Sequence, residues 1–388
     1  MRKLSFIFFV LFFVISCADG TLDVVENIDD ISNSLSDVDQ NLDDIPNSPD
    51  GNDEDLAGPD HSASWNLSVK NGQLVDQNDE EFIPYGFNSV HIWLNEDDML
   101  DALKNEIPKS GANTVRLVTS GSSWTWNNQS INATQKRKLI ETSIEAGLVP
   151  MLEMHDATCL DECDLPAGNG KMGLKQLVDE WLTPEMIELL KDYEGQLLVN
   201  IANEWGPDSK VYLDCYKEAI TRFRDVGINN VLVIDAGRCG QGVNTLLNYA
   251  DELYNHDPLK NIVHSIHLYG FWRTEDKTFT DWTPPYSVEE MFPKLADLEG
   301  PVIIGEFGWR GEGSAINYNP EIVLQVAKEN GIGWLFWAWY DGDDKQYYNT
   351  ISSTQYKYES DAALTEGGQF LINDVEYGMK NIARQISN

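Results

Sequence analysis

Positive charge is what this chain has least of: 27 Lys and Arg stand against 64 Asp and Glu, giving a formal net charge of −37 at pH 7. So acidic a chain repels phosphate backbones and other polyanions, which argues against nucleic acid as a partner and favours a neutral one. Phosphate and metal signatures are missing too. No Gly-x-Gly-x-x-Gly or Walker-type loop directly follows a strand-like run, which removes the usual nucleotide-binding classes. Cys159-x-x-x-Cys163 has no second Cys or His pair at zinc-site spacing, and Asp161, Glu162 and Asp164 read as solvated surface rather than a calcium loop. No metal and no cofactor is therefore expected. The apolar stretch from Leu4 to Ile15 is short for a membrane span.

The first residues read as an address followed by a tether. Arg2-Lys3 is a basic start, Leu4 to Ile15 an apolar stretch, and Ser16 a small residue before Cys17. Residues 1–17 resemble a bacterial lipoprotein signal, which implies export, lipid attachment at Cys17, and residence at the outer membrane or cell surface through that anchor alone. From Ala18 to Asp60 there are 14 acidic residues and no Lys or Arg. Such a segment buries too little apolar surface to offset its chain entropy, so 18–62 is expected to be a disordered, self-repelling linker. Residues 63–388 then form a single domain, expected to be monomeric, and the charge from residue 61 onward is still −25.

Within that domain, Leu67-Ser-Val69, Asn71-Gly72 and Gln73-Leu-Val75 spell a hairpin, read as a lid on the closed end of the main fold. Strand-like apolar runs follow at Phe82 to Asn88, Asn113 to Val118, Leu148 to Met154, Leu197 to Asn203, Asn230 to Asp235, Ile262 to His267, Val302 to Glu306 and Gly333 to Trp339. Eight such runs, each followed by enough chain for a crossover helix, predict an α/β fold: a (β/α)8 TIM barrel with a short N-terminal β-hairpin. Its doubly wound rival lacks the glycine-rich loop it needs.

Function in a parallel barrel gathers where strands end. Those ends hold Asn88 and His91, Arg116, His155 and Asp156, Asn203 and Glu204, Asp235, His267 and Tyr269, Glu306, and Trp337 and Trp339. Glu204 and Glu306 each close a β-branched run, and two carboxylates facing one cavity are what glycosidic bond cleavage requires. The 12 Trp and 15 Tyr supply flat faces suited to sugar rings. Four cysteines follow Cys17, and an exported protein is expected to join them in one or two disulfides, with three pairings possible when all are joined. Position favours Cys215 with Cys239, both at the catalytic face, leaving Cys159 and Cys163 bridged to each other or reduced.

The stretches Asn113-Thr-Val-Arg116, Leu152-Glu-Met-His155-Asp156, Val199-Asn-Ile-Ala-Asn203-Glu204-Trp205, Ser265-Ile-His267-Leu-Tyr269, Ile303-Ile-Gly-Glu306-Phe-Gly308 and Gly333-Trp-Leu-Phe-Trp337-Ala-Trp339 together resemble glycoside hydrolase family 5 over residues 65–388. Asn88-x-x-His91-x-Trp93, Ser123-Trp124-Thr125 and Leu364-Thr-Glu366 make the bacterial endo-β-1,4-mannanases the most similar members. The resemblance implies a retaining endo-hydrolase of mannan-type polysaccharide, with Glu204 as acid/base and Glu306 as nucleophile. The chemistry asks for the same pair, with Arg116 and Tyr269 holding Glu306 ionised, and the negative charge of Glu306 with an aromatic wall raising Glu204. Asn203 is expected at the sugar 2-hydroxyl, His155 at sugar hydroxyls and His267 against Glu204. Of Trp337 and Trp339, the latter is favoured as the stacking platform. His91 completes the substrate-binding set. Two departures stand out. Gly237-Arg238-Cys239-Gly240-Gln241 replaces a Gly-Trp-Gly-Gln pattern common in the related mannanases, and the 159–173 segment is longer. The rival readings are cleavage of another β-glycan, such as a glucan or glucomannan, and a non-catalytic glycan-binding lipoprotein.

Overall fold

The computed structural model describes residues 65–124, 130–279, 282–311, 315–342, 345–352 and 356–386. The expected signal, Cys17, the acidic linker and Thr125 lie outside them.

Strands β1 (Ser68–Lys70) and β2 (Gln73–Val75) pair antiparallel. Asn71 and Gly72 between them both take positive φ, 53° and 78°, the twist a two-residue hairpin turn demands. The hairpin closes the barrel floor as expected. The amide of Leu67 donates to Gly195 O, just before one strand, and that of Val69 to Asn261 Oδ1, just before another, at 2.9 and 2.8 Å.

All eight apolar runs are barrel strands: β3 (Tyr85–Val90), β4 (Thr114–Thr119), β5 (Val149–Met154), β6 (Leu198–Asn200), β7 (Val231–Asp235) and β8 (Ile262–Leu268). After two short strands, β9 (Trp272–Arg273) and β10 (Tyr286–Ser287), come β11 (Val302–Phe307) and β12 (Gly333–Phe336). They close in the order β11-β12-β3-β4-β5-β6-β7-β8 with every pairing parallel. Every residue of the eight is buried, because side chains fill the bore on one face and helices cover the other.

The crossovers carry α1 (Glu96–Asp101), α2 (Ala133–Glu145), α3 (Leu174–Trp181), α4 (Pro184–Asp192), α5 (Lys210–Asp225), α6 (Val243–His256), α7 (Val288–Ala296) and α8 (Pro320–Glu329). Two more helices, α9 (Glu366–Asn373) and α10 (Met379–Ile382), follow the last strand. Their starts are legible chemistry. Asn132 and Gln135 form a reciprocal capping box on α2, and Asn319 caps α8 ahead of Pro320. In α5, Tyr212, Leu213, Tyr216, Ala219, Ile220 and Phe223 form one buried stripe at helical spacing.

The disulfides differ from the expected pairing. Cys159 is joined to Cys239, and Cys163 to Cys215. Cys215 sits in the second turn of α5 and is reached by the irregular 159–173 loop as it descends along that helix. Cys159, at the start of the loop, stays at the barrel mouth beside the chain leaving β7.

Candidate active site

Two strands end earlier than their apolar runs, and both early ends shape the mouth. β6 stops at Asn200, so residues 201–204 peel away from the ladder, and Glu204 takes a left-handed φ of 51°. That conformation is uncommon for a residue with a side chain. It is held from two sides: the Glu204 amide donates to Asp235 Oδ2 at 3.0 Å, and its carbonyl accepts from the Cys159 amide at 3.3 Å. β12 stops at Phe336, so the alternation that would set Trp337 and Trp339 on one face ends before either.

Arg116, inward-facing on β4 and fully buried, organises the bore. Its Nη1 donates to Glu306 Oε1 and to Asn88 Oδ1, each at 2.9 Å. Nε and Nη2 donate to Asn200 Oδ1 at 3.0 and 2.8 Å, and Nη2 also to Asn203 Oδ1 at 2.6 Å. A guanidinium used this fully is a fixed charge, not a mobile one. Glu306 is held at its other oxygen by the Tyr269 hydroxyl, at 2.8 Å. Burial, then the charge of Glu306, pushes the Tyr269 phenol well above its ordinary range, so it stays a donor.

Glu204 meets His267, whose Nδ1 lies 3.0 Å from Oε1. Burial drives the imidazole down to about 3, so His267 is neutral at working pH and orients the carboxyl without adding charge. Glu204 itself is raised well above the ordinary carboxyl value, first by burial and then by the nearby charges of Glu306 and Asp235. One oxygen of Glu204, one of Glu306 and one nitrogen of His267 all lie within 4.8 Å of one another. Two carboxyls at about 5 Å suit direct attack on an anomeric carbon, whereas a water-activating pair stands farther apart. Arg116 fixes the Glu306 side of this trio.

Beside the carboxylates lies an aromatic wall. His155 stacks on Trp337 with centroids 5.9 Å apart, and Trp93 reaches Trp337, His155 and Trp124 at 6.2, 5.8 and 6.4 Å. All four side chains are partly exposed. Asn203 lies between this wall and Glu204, its Nδ2 donating to Thr158 Oγ1 at 2.9 Å and standing 3.4 Å from His155 Nε2.

The structure therefore gathers Glu204, Glu306, Arg116, His155, Asn203, His267, Tyr269 and Trp337 in one site. It separates two other residues from it. Trp339 has no exposed face: it packs edge-on against Phe87 and donates its indole N–H to Tyr356 O, whereas Trp337 is partly exposed beside His155. His91 leaves β3 on the side opposite Asn88 and faces a small cavity lined by Leu94, Glu96, Gln135 and Leu139, against the helices. Its Nε2 is 3.0 Å from Ser89 Oγ, and burial takes the imidazole down to about 3. Asn200, Glu153 and Thr158 were not singled out from the sequence. A polar Asn200 inside an apolar strand was the available signal.

Residues 75–343 match the family model for cellulase (glycosyl hydrolase family 5). A mannan endo-1,4-beta-mannosidase of Salipaludibacillus agaradhaerens is 30% identical over 286 residues, 73% of this chain and 84% of that protein. One from Cellvibrio japonicus is 28% identical over 329 residues, 84% and 69% of the two chains. Among solved structures, a β-mannanase from Thermomonospora fusca superposes with a TM-score of 0.67 at 28% identity, over 82% of this chain and 98% of its own.

Proposed function

The chain belongs to glycoside hydrolase family 5, and from that premise we propose that it is a retaining endo-hydrolase of β-1,4-mannosidic linkages in mannan-type polysaccharides. The observation that carries the reading is the carboxylate pair, Glu204 against neutral His267 and Glu306 against Arg116 and Tyr269, within 4.8 Å of one another at the barrel mouth. The relatives named as mannan-cleaving enzymes support the choice of polysaccharide.

Glu306 attacks the anomeric carbon while Glu204 gives its proton to the departing glycosidic oxygen, leaving a glycosyl ester on Glu306. Ester formation removes the charge that raises Glu204, so Glu204, now a carboxylate, takes a proton from water. The hydroxide adds to the anomeric carbon and expels Glu306 with overall retention. Asn203 addresses the sugar 2-hydroxyl, and Trp337 with His155 lines the bound ring. Reducing-sugar release from mannan, glucomannan, cellulose and xylan tests the reading, with mannan expected to be cut fastest. Because the family model also bears the name cellulase, faster release from cellulose overturns the mannan assignment and leaves the mechanism standing.

The N-terminal sequence supports export and lipid attachment at Cys17. Incorporation of labelled palmitate into the full chain, abolished by Cys17→Ser, is the expected result. Unchanged labelling of that variant removes the anchor.

A further inference from the structure

The Cys159–Cys239 disulfide links the chain leaving β5 to the chain leaving β7, and so spans the segment between them that leaves β6 and carries Glu204. Its Cys159 sulfur lies 3.6 Å from Glu204 Oε2, the oxygen that His267 does not hold. Each arm of the bridge grips one member of the acid/base pair. On the Cys159 side, the backbone amide donates to Glu204 O at 3.3 Å. On the Cys239 side, Gly240 O accepts from the His267 amide at 2.8 Å, and a Cβ at Gly240 would come within 2.7 Å of the His267 ring. Glu204, Cys159 and Cys239 share left-handed φ values of 51°, 56° and 54°, a cluster that surrounding structure must enforce. Cys163–Cys215, by comparison, fastens the same loop to α5 in the helix layer.

We propose that the Cys159–Cys239 disulfide is the positioning device of the acid/base, holding Glu204 against His267 and keeping water from one edge of its carboxyl. The proposal rests on Glu204 being the acid/base. Burial is the first cause of Glu204's raised proton affinity, and the charged or titratable groups facing it are His267 on β8, Glu306 on β11, Asp235 on β7, Arg116 on β4 and Glu153 on β5. All of these remain when the bridge opens. What changes is access of water, which favours the ionised form.

The test compares Cys159→Ser/Cys239→Ser with Cys163→Ser/Cys215→Ser in the full chain, using soluble mannan and a 2,4-dinitrophenyl β-mannoside. Dinitrophenolate departs without a proton, so its first-turnover burst does not depend on a placed acid, whereas mannan cleavage does. The first variant is expected to retain the burst, to lose about tenfold to a hundredfold in kcat/KM on mannan, and to show its alkaline limb at lower pH. The second is expected to match wild type in all three. An unshifted alkaline limb, or equal losses in the two variants, overturns the proposal. If the first variant does not fold, the folded wild type is reduced with a water-soluble phosphine, which takes oxygen from water as each disulfide becomes two thiols. Alkylation mapping then identifies the opened bridge, and the same burst and limb are read. Wild type inactive on mannan and unreactive toward the aryl mannoside is a failure of the functional reading, and is distinct from either outcome above.

Discussion

Four carboxylates, Glu153, Glu204, Asp235 and Glu306, surround the single guanidinium of Arg116, and that imbalance decides where a proton resides. Arg116 contacts Glu306 directly, whereas the Glu204 carboxyl meets a neutral imidazole and a disulfide sulfur. Glu204 therefore keeps its proton above the ordinary 4.5, and kcat/KM is expected to fall as pH rises through that higher value. Either Glu204→Gln or Glu306→Gln should lower turnover by several orders of magnitude while leaving the circular dichroism unchanged. Azide added to Glu204→Ala should yield a β-glycosyl azide from an activated aryl mannoside. The same retained product from Glu306→Ala instead would exchange the two roles. The tryptophans separate by a second measurement. Trp337→Ala is expected to lose about tenfold in kcat/KM, roughly 1.4 kcal/mol, with little change in Tm. Trp339→Ala, which empties a fully buried site, should instead cost about 3–5 kcal/mol of stability. Sequence reasoning set both tryptophans on one face because it extended strand alternation past Phe336, and it did not foresee the pocket of His91 because the face a side chain takes beyond a strand end is set by tertiary packing. Arg116, Glu204, Glu306, His267 and Tyr269 were legible because a polar residue closing an apolar strand has few explanations other than a site.

Elements were easier to read than the links between them. A strand buried on both faces is a continuous apolar run, so each of the eight announces itself, although β3 starts three residues later than its run and β6 and β12 each stop three residues earlier. The disulfides were not legible, since the path of 159–173 depends on where Trp205 and α5 pack and not on local spacing. Trp205 donates its indole N–H to Glu162 O at 3.0 Å, drawing that loop down onto the helix that carries Cys215. Another link of this kind carries a prediction. Arg224, in the last turn of α5, donates from Nε and Nη2 to the two oxygens of buried Asp257, at 2.9 and 2.8 Å, and from Nη1 to Ile228 O and Asn230 O at 2.7 and 3.0 Å. Burial alone would raise the Asp257 carboxyl, but the Arg224 hydrogen bonds and charge, with the amides of Asn261 and Leu259, bring it below 3.8. A depressed folded value contributes stability that is present above about 3.8 and is lost as pH falls through the lower folded value. Arg224→Met, which leaves Asp257 buried without its partner, should cost about 3–5 kcal/mol near neutral pH. The gap from wild type should narrow below pH 4 in acid-unfolding curves, and a constant gap at every pH would assign the loss to packing alone.

At the scale of the whole molecule, the barrel and its charge make separate contributions. In the reading proposed above, a neutral polymer meets an aromatic wall and a buried ion network at the barrel mouth, and that arrangement asks for no attraction from the surface. The remaining −25 from residue 61 onward repels like-charged molecules, anionic polymers among them. The acidic stretch from Ala18 to Asp60 is proposed to act only as a spacer between a lipid at Cys17 and the cleft, because 14 like charges without a counter-charge favour extension over packing. Chemistry at Glu204 and Glu306 then has no dependence on it. A chain beginning near Ser62 is expected to be soluble, to unfold at the same temperature as the full chain, and to release reducing sugar from dissolved mannan at the same rate. On mannan presented as particles to whole cells, the full anchored chain should show a requirement for spacer length that the truncated form, free in solution, does not. Loss of activity on dissolved substrate by the chain starting at Ser62 would make the acidic segment part of the catalytic fold.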